Sequence, residues 1–62
     1  MTLKEQALWS LMEANGFSYG LMTTAIRILG QSREALDDMI IFIQDEYPSE
    51  EQVISYIAGM CE

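Results

Sequence analysis

The chain has 62 residues, 50% of them hydrophobic and 21% charged, a composition that excludes disorder. Ten acids stand against three bases, for a net charge of −7, which excludes binding to nucleic acid or an anionic membrane by charge, because both need Lys and Arg to displace counterions. There is no histidine and one cysteine, Cys61, so a Cys/His zinc site and an intramolecular disulfide are also excluded.

Breaker residues divide the chain. Thr2-Leu3-Lys4-Glu5 has the spacing of a capping box, in which hydroxyl and carboxylate satisfy free amides reciprocally, and it predicts a helix over 3–14. Apolar residues recur at Leu3, Ala7, Leu8, Leu11 and Met12, the 3.6-residue period of one helix face. Trp9 points away from the Leu3/Ala7/Leu11 stripe. It either folds over the edge of a small core or anchors a partner, as Trp often does at interfaces. Asn15-Gly16 ends the helix, since glycine enters the left-handed region at little cost.

Ser18 is placed to cap a second helix over 18–29, with apolar residues at Leu21, Met22, Ala25, Ile26, Ile28 and Leu29, stopped by Gly30. Ser32 caps a third over 32–46. On a wheel of about 100° per residue, Leu36, Met39, Ile40, Ile43 and Tyr47 share its core face, with Ala35 and Phe42 on the flank. Asp37, Asp38, Asp45 and Glu34 turn away, and Ile41 falls among them. An isoleucine there is either an ordinary exposed apolar residue, one that the fourth helix covers, or an apolar anchor inside a charged rim. Pro48 pushes its predecessor out of helical geometry. Ser49-Glu50-Glu51-Gln52 is a second capping box, opening a fourth helix over 50–60 with a stripe of Val53, Ile54, Ile57, Met60 and Cys61.

The expected fold is all-α, a compact bundle of four short helices in a single domain, 1–62. None of the helices is long enough to persist alone in water, so packing must hold them.

The run Leu11-Met12-Glu13-Ala14-Asn15-Gly16-Phe17-Ser18, followed by Ala25-Ile26 and Gly30-Gln31-Ser32-Arg33-Glu34-Ala35, resembles ubiquitin-associated (UBA) domains over about residues 3–46. That family is a three-helix bundle with a Met-Gly-Phe/Tyr loop after helix one and a Leu pair late in helix three. Asn15-Gly16-Phe17 and Ile40-Ile41 occupy those places here. Asn15 stands where the family usually has methionine, Asp37 where it has a small apolar residue, and the fourth helix is additional. The resemblance implies contact with ubiquitin through Gly16, Phe17 and Ile41.

No catalytic pattern accompanies this. Without histidine the commonest general base is missing. The acid pairs Asp37-Asp38, Asp45-Glu46 and Glu50-Glu51 point about 100° apart on a helix and do not converge. They read as solvated faces and as N-terminal charges favoured by the helix dipole. Glu62 beside Cys61 disfavours a thiolate.

The expected function is that of a small acidic protein-interaction module, without catalysis, cofactor or metal. Its expected partner is a protein, itself as a homodimer in the simplest case, with no direct nucleic-acid binding and no membrane. Trp9, Gly16, Phe17, Ile41, Asp37, Asp38 and Asp45 are the candidate contacts. The absence of a basic-then-apolar leader pattern leads to an expected cytoplasmic location. The alternative is an acidic mimic of nucleic acid that blocks a basic protein.

Overall fold

A computed structural model describes residues 1–60. It is all-α, with α1 Leu3–Ala14, α2 Tyr19–Leu29, α3 Arg33–Glu46 and α4 Glu50–Met60. Side chains open every helix. Thr2 and Glu5 form the capping box of α1. Ser18 Oγ accepts the Leu21 N–H at 3.3 Å and Ser32 Oγ accepts the Ala35 N–H at 3.2 Å. Ser49 and Gln52 exchange two hydrogen bonds at the start of α4, at 2.8 and 3.2 Å.

The turn after α1 is a Schellman motif. Gly16 N–H donates to the Glu13 carbonyl at 3.0 Å and Phe17 N–H to the Met12 carbonyl at 3.1 Å. Gly16 sits at φ +78, which only glycine adopts without steric cost. Gly30 is different. Its φ of −63 suits any residue, but a Cβ there would lie 2.6 Å from the Ile26 carbonyl oxygen and 2.8 Å from Glu5 Oε2. The nearer atom belongs to the backbone of α2 itself and cannot yield, whereas the Glu5 carboxylate is the free end of a side chain, so the last turn of α2 is what selects glycine.

Helix α2 packs against all three of the others, α1 also packs on α3, and α4 rests on α2. A helix flanked on three sides must be apolar over most of its circumference. In α2, Met22, Ala25 and Leu29 are buried, Leu21, Ile26 and Ile28 are half-buried, and Arg27 is the single charge. Leu8, Met12, Ala35, Leu36, Met39, Ile43, Val53 and Ile57 complete the core. The backbones of α3 and α4 do not pack closely. Two rings span the gap, Phe42 stacking on Tyr56 with centroids 4.8 Å apart.

Three stripes differ from the wheel positions read in the sequence. In α1 the buried pair is Leu8 and Met12, while Leu3 is 84% exposed and Ala7 also faces water. The buried face is the i, i+4 pair Leu8 and Met12, flanked by half-buried Trp9 and Leu11, and it leaves Leu3 and Ala7 outside. Tyr47 is 77% exposed and leaves the face of α3 altogether. It ends α3 in the left-handed region at φ 49, not in the extended region that a following proline favours, and Pro48 itself is buried instead. In α4, Ile54 and Met60 are exposed, because Val53 and Ile57 alone face α2. Cys61 lies outside the described residues.

Among the described residues there is one ion pair, Lys4 with Asp37, both partly solvated. Among the described residues no helix is long and apolar enough to cross a membrane.

Candidate functional site

The seven candidate contacts fall into two groups. Trp9, Gly16 and Phe17 sit at or near the α1–α2 turn. Trp9 is half-buried against the core, and its ring meets Tyr19 edge-to-face at 5.1 Å and 87°. Phe17 is also half-buried, tucked against the core as the apolar residue that closes a Schellman motif. Both therefore have structural work independent of a ligand. Gly16 is exposed with open space around it.

The second group lies on α3. Ile41 is 54% exposed, and α4 does not cover it. Asp38 and Asp45 are exposed on either side, three and four residues away, the spacing of neighbours on a helix surface. Asp37 is drawn out of this ring by Lys4, which ties the start of α1 to α3.

Next to Ile41 the structure shows a feature that wheel positions did not locate. Phe42 and Ile54, with Glu51, Gln52 and Ser55, line an open depression between α3 and α4. Ile54 is 53% exposed. A signal was present: Ile54 follows Val53 directly, so it stands about 100° from a face that Val53 and Ile57 already fill. The depression exists because Phe42 and Tyr56 hold the two helices apart.

The two helices that border this surface carry seven acids against one base, Arg33 at the start of α3. Glu50, in the first turn of α4, is committed elsewhere: its Oε1 accepts the Ser18 backbone N–H at 2.6 Å. That bond, with a contribution from the Ser18 side chain, holds the Glu50 carboxyl below the usual carboxylate range. Glu5 is lowered the same way by the Thr2 backbone and side chain. Asp45 and Glu46 close α3 in its last turn, where no basic residue is present. Helix carbonyls concentrate negative potential there, so acids are disfavoured and cations welcome.

No group of three or more potential metal-ligating side chains converges among the described residues. No protein-family model, curated protein or solved structure matches the chain.

Proposed function

We propose that this chain is a small acidic protein-interaction module, without catalytic activity, that docks through the outer face of α3 and the adjoining edge of α4. The observation supporting this is that Ile41 and Ile54 are both exposed, with Ile54 lining a depression together with half-buried Phe42 and acidic Glu51. Such a layout has a centre that loses water on contact and a charged border that sets orientation.

An NMR titration with small aromatic fragments tests the docking face without assuming its occupant. Shift changes should cluster on the amides of Ile41, Phe42, Gln52, Ile54 and Ser55. Changes clustered on another face, or none, would refute the reading.

Self-association is a second reading, favoured by the small core of a chain this short. Light scattering at two concentrations and two salt levels, on the wild type and on Ile41→Asp, tests it. A salt-insensitive dimer that the substitution dissociates, with helix content intact, is the expected result on that reading. An acidic mimic is less favoured, because Glu5, Asp37 and Glu50 are engaged within the fold.

A further inference from the structure

Resting on the docking face just described, we infer that its occupant is a basic amphipathic helix from another protein, seated over Phe42 and Ile54. Four observations converge on this chemistry.

The floor is apolar. Phe42 of α3 and Ile54 of α4 both line the depression, and Ile41, the residue before Phe42, is exposed. A partner must bring apolar side chains of its own.

The rim is acidic. Glu51 lines the depression, and Asp38, Asp45 and Glu46 lie three or four residues from Phe42 along α3. Between residues 34 and 60 there is no base, and Lys4, the cation paired with α3, is held by Asp37. A second copy meeting this face through the same face would set acid against acid, at a cost in affinity. Lys and Arg flanking an apolar stripe match it.

The end of α3 is locally frustrated. Asp45 and Glu46 oppose the negative end of the helix dipole, and no cation lies in that turn. The fold does not need this arrangement. A partner's cation would neutralise both the carboxylates and the exposed carbonyls.

The backbone selects the partner's conformation. The described residues form helices and short turns, so no strand edge is open to an extended peptide. A helix satisfies its own backbone groups and needs only side-chain contacts from a groove. With α4 eleven residues long, about two to three turns of the partner can be seated.

The test is a binding titration by fluorescence anisotropy with three labelled peptides: an amphipathic Leu/Lys helix, a scrambled isomer of equal charge, and a Leu/Glu counterpart. The amphipathic peptide should bind at least about tenfold more tightly than the scrambled one, and the Leu/Glu peptide should not bind. Ile54→Ser keeps the charge and faces water, so it should preserve the circular dichroism spectrum while weakening binding about tenfold. Glu51→Gln should weaken it less, and the difference should vanish at high salt. Leu3→Ser, at an exposed residue of α1 that does not line the depression, should leave binding unchanged. Equal binding of the scrambled isomer would mean a simple polyanion and would overturn the inference, as would an Ile54→Ser variant that binds normally. Fragment shifts clustered on the face without peptide binding would sink this inference while sparing the docking site. A wild-type dimer that Ile54→Ser dissociates would assign the face to a second copy instead.

Discussion

The backbone N–H of Ser18 donates to Oε1 of Glu50, 32 positions further along the chain, at 2.6 Å. In an ordinary capping box the third residue of the same helix supplies that acceptor. In α2 that residue is Leu21, which has none. Glu50 fills the role from the first turn of α4. One carboxylate thus completes the cap of α2 and fixes where α4 begins, while its own charge is favoured at the N-terminus of α4.

This bond makes acid sensitivity predictable. Glu5 and Glu50 both have folded-state values below their ordinary one. Each therefore adds stability that is fully present above about pH 4.3, the unfolded value, and is lost as pH falls through the lower folded value. Urea midpoints should be flat from pH 7 to pH 5 and fall below about pH 4.3. The double variant Glu5→Gln, Glu50→Gln should fall less over that lower range, since neither amide titrates. An equal fall in the double variant would show that other carboxylates dominate.

Two glycines should respond in opposite directions to alanine. Gly16 is held at φ +78 with nothing near its Cβ position, so Gly16→Ala carries the left-handed penalty alone, about 1–2 kcal/mol. Gly20 lies within α2 and also faces open space, so Gly20→Ala should gain up to about 1 kcal/mol. In a chain of this size each kcal/mol moves the thermal midpoint by about 4–8 °C. Melting both variants by circular dichroism reads the pair, and a shift of the same sign in both would contradict it.

The elements were legible because their punctuation is local. Thr2, Ser18, Ser32 and Gly16 each act within three or four residues, and the all-α bundle of four helices follows from them. Facing was less legible. Leu3 and Tyr47 fit the periodicity of their helices, yet α1 buries the face that carries Trp9 and Tyr47 leaves α3 in the left-handed region. Those effects depend on side-chain size and backbone restriction, which a wheel omits. The exposure of Ile41 was readable, since its helix neighbours are acids. The depression beside it was not, because it depends on how far the Phe42–Tyr56 stack holds α3 from α4.

Helix α4 should unfold with the rest. It rests mainly on α2, through Val53 and Ile57, and is tied by Glu50. Ile57→Ala should cost about 2–5 kcal/mol, a large share of what a chain this short has. The single tryptophan, Trp9, reports on α1 and its contact with Tyr19. Its fluorescence midpoint should drop together with the helical signal. A helical signal that falls first, with Trp9 unmoved, would show α4 detaching alone.

Glu46→Lys should separate stability from docking. A cation in the last turn of α3 complements the dipole that Glu46 opposes, for a gain of about 0.3–1 kcal/mol. The same change removes part of the acidic rim, so the basic amphipathic peptide should bind more weakly at low salt. Denaturation and anisotropy on one variant measure both. A loss of stability would mean that Glu46 has a role within the fold.

Tyr47 gives the last prediction. It is a non-glycine residue at φ 49, directly before a proline, with its ring mostly in water. Left-handed geometry costs a side-chain-bearing residue about 1–2 kcal/mol, and the exposed ring returns little packing. Tyr47→Gly removes that cost but frees the unfolded chain by about 0.4–1 kcal/mol. The net expectation is a gain of about 0.5–1 kcal/mol. Tyr47→Ala keeps the strain and should gain nothing, so the two variants isolate the backbone term. A destabilised Tyr47→Gly in chemical denaturation would show that the tyrosine ring holds the α3–α4 turn through contacts made in solution.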